Sequence, residues 1–161
     1  MNNPVVGFLK TIFLFIMKKV EFDNHEINKT ITMPDGKEFT IFRRVNILSK
    51  KSEPKAYFIV RFKPKKMGIQ QNIRFSVLPM MVFMGFKGFR SKYWAVDYET
   101  GLCQGLYEWQ TVEDAENYSK SIAMKFMTRR SYPELLEYKI VDKSKEKLVY
   151  SIKNSTMNPS N

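Results

Sequence analysis

Residues 56–62, Ala-Tyr-Phe-Ile-Val-Arg-Phe, carry large apolar side chains on both alternating sets, which predicts a strand buried on two faces. Lys63 to Met67 makes a basic turn around Pro64. Ile69, Ile73 and Val77 then recur four apart and predict a helix, which Pro79 must kink or restart through Met84. Gly85 and Gly88 lead into a second strand over 89–97. The turn Glu99-Thr100-Gly101 joins it to a third over 102–109, a connection tight enough for an antiparallel hairpin. Thr111 and Asp114 fit a capping box at the start of a second helix, whose stripe is Val112, Ala115, Tyr118, Ile122 and Phe126. Glu113, Asp114 and Glu116 near its start, and Lys125, Arg129 and Arg130 near its end, complement the helix dipole. Leu135 to Asp142 returns as a fourth strand. The order β-α-β-β-α-β is that of a ferredoxin-like plait, an α+β fold with an antiparallel sheet.

The flanks divide the rest. Residues 1–50 form an N-terminal extension, 55–143 the plait domain, and 144–161 a charged, flexible tail. Pro4 to Met17 is apolar except at Gly7, Lys10 and Thr11, and Lys18 and Lys19 close it, which predicts a helix over 4–18. The run is too short and too interrupted to span a bilayer, and lysines that follow the apolar stretch are the wrong order for a secretory signal. Packing on its own domain or on a second copy is the expected fate of this helix. Attachment to an anionic membrane surface through residues 4–19 is the alternative. A hairpin follows over 28–48, centred on Pro34-Asp35-Gly36, because Asp-Gly tolerates the positive φ that a tight turn needs.

Composition narrows the chemistry. Of 161 residues, 43% are hydrophobic and 27% charged, a globular profile, and the net charge of +11 favours anionic partners. One cysteine, Cys103, excludes an internal disulfide and suits a reducing cytosol. One histidine, His25, and that cysteine do not make a zinc site, so no metal is expected. The P-loop and Gly-x-Gly-x-x-Gly patterns are absent, and a histidine-based triad is unsupported. The catalytic residues, if the chain is an enzyme at all, are not identified by any motif.

Two helices cover one face of a four-stranded sheet, yet these strands hold large apolar groups on both faces. That predicts a second buried interface, which sheet-to-sheet homodimerisation would supply. The segments Gly88-Phe89-Arg90-Ser91-Lys92-Tyr93-Trp94, Glu99-Thr100-Gly101, Gly105-Leu106-Tyr107 and Ala115-Glu116-Asn117-Tyr118 resemble the YdhR-like mono-oxygenase family of the dimeric α+β barrel superfamily. The resemblance spans roughly residues 55–142 and implies a homodimer around a pocket, with mono-oxygenase-like activity. Cofactor-free oxygenation needs a substrate that yields a stabilised anion, held away from water. Arg90, Lys92 and Trp94 alternate onto one side of their strand, and Arg61 is expected beside them. Cations for charge, the Trp94 indole for stacking and a Tyr107 hydroxyl would together receive a flat anionic molecule. No cofactor is expected; His25 lies outside the plait, which disfavours haem.

A different class of function is a nucleic-acid-binding module. RNA-recognition domains share this element order, and Lys87-Gly88-Phe89 opens like one of their motifs. The match fails at Arg90-Ser91-Lys92 and falls on the second strand instead of the third. A non-catalytic, membrane-peripheral binding protein is the third reading.

Overall fold

The computed structural model describes residues 3–48 and 52–155. The plait is formed by strands β4 (Ala56–Phe62), β5 (Phe89–Val96), β6 (Cys103–Trp109) and β7 (Glu137–Asp142), with α2 (Ile69–Phe75) and α3 (Val77–Phe83) in the first crossover and α4 (Val112–Ser119) and α5 (Ile122–Arg129) in the second. Before it come α1 (Pro4–Ile16), β1 (Val20–Phe22), β2 (Thr30–Thr32) and β3 (Glu38–Ile47); after it comes β8 (Ser151–Lys153). The strands join one eight-stranded sheet in the order β7-β4-β6-β5-β3-β2-β8, with β1 also on β3, and every pairing is antiparallel. The first four strands of that order are the ferredoxin-like plait.

The helix pair before β5 breaks at Ser76, three residues ahead of Pro79, which falls in the first turn of the restarted helix. The second crossover differs from the single stripe expected. Ser121 accepts a hydrogen bond from the Met124 amide at 3.2 Å and starts a new helix, so α4 ends at Ser119. A short hydroxyl side chain that satisfies the free amides of a first turn favours a boundary over continuation. Tyr118 and Met124 therefore point inward, whereas Ile122 and Phe126 are exposed.

The hairpin β2–β3 adds to the same sheet through β3 against β5 instead of standing apart. It curls across the face opposite the helices. Ile31, Met33, Phe39 and Ile41 pack there with Ala95 and Leu106, and Leu148, Tyr150 and Ile152 close the cluster from the chain's far end. The segment expected to be a flexible tail thus supplies β8, paired to β2. Asp35, at the hairpin turn, reaches Arg61 of β4 at 2.6 Å, and Glu137 of β7 meets the same guanidinium at 3.2 Å. The apolar face that motivates a sheet-to-sheet dimer is covered within the chain, so no second copy is needed to keep water from it. That face is also the one on which an RNA-recognition domain displays its aromatics.

Candidate functional site

The helix-facing side of the sheet holds the main core, and its centre is chemically unusual. Strand register sets Lys92 of β5 directly opposite Tyr107 of β6, and Tyr107 opposite Phe58 of β4. Three neighbouring strands therefore place these side chains in one row on one face. Lys92 is only 5% exposed. Its Nζ donates to the Tyr107 hydroxyl at 2.6 Å, and that hydroxyl shares a 2.8 Å hydrogen bond with Tyr118 of α4. The amine lies 4.0 Å from the Tyr107 ring centre, 4.3 Å from Trp94 and 4.8 Å from Phe83. Three aromatic faces thus surround one nitrogen.

Burial strips water from this amine, and the Arg43 guanidinium adds like-charge repulsion, so its pKa is held well below the ordinary lysine value. The aromatic faces return part of the loss through cation–π attraction. Burial also raises the Tyr107 and Tyr118 hydroxyls, which stay protonated, and pushes the Cys103 thiol up to about 12. Cys103 accepts from the Asn72 amide at 3.2 Å and is a buried thiol, not a nucleophile. Arg43 donates to Ser76 Oγ at 2.7 Å and to the Ile73 carbonyl at 3.3 Å, tying β3 to the α2–α3 junction, and lies 5.4 Å from the Trp94 ring.

A cavity of about 70 Å³ opens above this row, between the sheet and helices α2, α3 and α5. Lys92, Trp94, Tyr107 and Tyr118 line its inner part, and Gly105 leaves room there. A Cβ at Gly105 would stand 2.9 Å from the Tyr107 ring and 3.0 Å from Val60. Phe75 and Phe126 stack at 5.9 Å near the outer end, and the Arg130 guanidinium lies 4.7 Å and 5.3 Å from their centres. The lining, aromatic with one polar cluster at its base, is that of a small-molecule site, but the volume is below the roughly 300 Å³ usual for one, so a ring enters only where Phe75 and Phe126 move apart.

Lys92, Trp94 and Tyr107 thus come together as the sequence suggests. Arg61 does not join them. It projects from the other face of β4, where it bonds Gln104 at 2.9 Å and the carboxylates of Asp35 and Glu137. Arg90 is also elsewhere. An irregularity between Phe89 and Ser91 breaks the alternation, and its guanidinium donates to the Ser52 carbonyl and to Gln110 Oε1, each at 2.6 Å. Lys92 itself is corrected in character. It enters the reading as a positive charge, whereas burial favours the neutral amine, which makes it a candidate base. Phe83, Tyr118 and Arg43 join the site without any sequence signal beyond apolar spacing or strand alternation. Among the described residues no group of His, Cys, Asp and Glu side chains is arranged to hold a metal ion.

No protein-family model matches the chain, and no curated protein matches it. Solved structures do. A ferredoxin-fold protein of Listeria monocytogenes, described as related to antibiotic biosynthesis monooxygenases, superposes with a TM-score of 0.51 at 11% identity, over 65% of this chain and 63% of its own. A candidate monooxygenase of Fusobacterium nucleatum superposes at 0.49 and 9% identity, over 73% of this chain and 53% of its own. The chain spans less than two thirds of either neighbour. At such identity the shared property is the fold. It is α+β, with a curled antiparallel sheet and the ferredoxin-like plait.

Proposed function

We propose that the chain is a mono-oxygenase-like, small-molecule-binding protein of the YdhR-like kind, whose cleft takes a flat phenol or hydroquinone and holds it as its anion. The observation that carries the reading is Lys92: a buried amine, bonded to Tyr107 and ringed by aromatics, at the base of an apolar cleft. A lysine so placed costs stability, and such costs persist where a site needs them. A neutral Lys92 amine would take the proton of a phenolic hydroxyl, and the resulting ammonium would pair with the phenolate where water does not compete. Phe83 and Trp94 would stack against the ring. Oxygenation then needs no cofactor, since the substrate supplies the electrons: a hydroquinone and dioxygen give a hydroxyquinone and water.

Anaerobic titration of the chain with naphthohydroquinone, followed by absorbance, tests binding and ionisation together. The expected result is saturable binding with the spectrum of the anion, weakened at least tenfold by Lys92→Met. Dioxygen uptake on admitting air then separates an oxygenase from a binding protein. Failure to bind any phenol or hydroquinone, or binding indifferent to Lys92→Met, would remove the reading.

A further inference from the structure

Helix α1 is mounted with its large apolar side chains facing out. Its buried residues are Gly7 and Thr11, the small ones. Gly7 sits against the Val82 carbonyl and the Phe86 ring, and a Cβ on Gly85 would fall onto the Gly7 carbonyl, so two glycines allow backbone-to-backbone approach here. That contact fixes the rotation of the helix. On the opposite arc Val5, Leu9, Phe13 and Ile16 are 65%, 60%, 58% and 71% exposed. The patch continues past the helix through Phe22, stacked on Phe15, and the exposed Leu48, whose amide bonds the Lys19 carbonyl.

We infer that this face is a membrane-docking surface, on which α1 lies flat in the headgroup region of an anionic bilayer. Thirteen residues at about 1.5 Å each span about 20 Å, short of the roughly 30 Å hydrocarbon core. Among the described residues no helix is long and apolar enough to cross a membrane. The exposed lysines Lys10, Lys18 and Lys19 rim the apolar arc, and α1 holds no acidic residue. Large apolar groups bordered by lysine are the composition of an interfacial helix. Charge decides between lipid and a second copy. Two α1 helices packed together would bring these lysines against a helix with no carboxylate of its own, whereas anionic headgroups neutralise them. The chain's net charge of +11 acts in the same direction.

Flotation of the full chain with vesicles tests the inference, using pure phosphatidylcholine and the same lipid with one-third phosphatidylglycerol. Two variants accompany it, Leu9→Asn with Phe13→Asn, and Lys10→Gln with Lys18→Gln and Lys19→Gln; all sites are exposed, and circular dichroism checks that the fold is kept. The expected result is flotation with anionic vesicles, lost in the asparagine variant. In the glutamine variant the partition coefficient should fall on the order of 100-fold, as three lysines near an anionic surface imply. Absence of flotation, or flotation that both variants retain, overturns the inference. So does a lipid-free mass of twice 19.1 kDa that the asparagine variant halves while anionic vesicles leave the chain unfloated, because a second copy then occupies the face.

Discussion

Replacing Lys92 by methionine should stabilise the protein while weakening ligand binding at least tenfold. The side chains are similar in volume, and the change removes a buried amine whose pKa is lowered by burial and by Arg43. Removing the proton from a lysine of ordinary pKa 10.5 at pH 7 costs about 4.8 kcal/mol, which bounds what folding loses at this position. The hydrogen bond to Tyr107 offsets about 1 kcal/mol, and the neutral amine draws no cation–π attraction from the rings. Methionine sulfur would gain about 0.3–1.5 kcal/mol against those rings, and Tyr107 keeps its bond to Tyr118. The balance is a gain of up to about 4 kcal/mol, at about 2–4 °C in Tm per kcal/mol for a chain this long. The pH dependence carries a sign. Between the lowered folded pKa and 10.5 the unfolded chain binds one more proton at this lysine, so wild-type stability rises with pH there. The methionine variant lacks that slope, and the gap between the two proteins should close above 10.5. Urea denaturation of both at pH 7, 8.5 and 10 measures it. A variant less stable than wild type at pH 7, or a gap indifferent to pH, would refute the reasoning.

Other perturbations address neighbouring parts of the molecule. Gly105→Ala should fill the cleft and strain Tyr107 and Val60, lowering stability by about 1–3 kcal/mol and weakening hydroquinone binding, as calorimetry would show. Phe126→Ala, at the outer end of the cleft, should cost less than about 1 kcal/mol and speed ligand association and dissociation together in stopped-flow. Asp35→Asn should loosen the hairpin from Arg61 by about 1 kcal/mol at neutral pH, the pair being half-open to solvent. The Arg61 hydrogen bond holds the Asp35 pKa below its ordinary 3.8, so this stabilisation is present above 3.8 and lost as pH falls through the lowered value. Urea midpoints of wild type and variant should therefore converge in strong acid.

Local pattern carried the plait well, because β-branched alternation and four-residue spacing report a backbone's immediate partners. The order of strands and crossovers follows from those runs, except that the second crossover is two helices, split before Ser121, where a single one was expected. What covers the second face did not follow. Both faces of β4 read as apolar, and a second copy was one cover for the far face, but the hairpin and residues 148–152 were others. Their own apolar content is sparse in sequence, with Ile31, Phe39 and Ile41 set among threonines and charges. Only curvature of the sheet brings Asp35 to Arg61, and curvature leaves no local trace in a sequence.

The site was legible to the same degree and failed at the same kind of step. Alternation along β5 put Lys92 and Trp94 on one side, and both line the cleft. Grouping Arg61 with them required the cross-strand register, since one residue of slip exchanges the faces of a strand. Lys92 opposite Tyr107, and Tyr107 opposite Phe58, leaves Arg61 on the other side with the hairpin. Among the described residues the protein thus holds two buried basic side chains apart, one in each hydrophobic layer, and treats them oppositely. Arg61 is matched by two carboxylates and Gln104, a structural clamp satisfied by its neighbours. Lys92 faces two neutral tyrosines and a cleft, and among the described residues no carboxylate is bonded to it. A buried base left without a counter-charge is the group that an acidic ligand would complete.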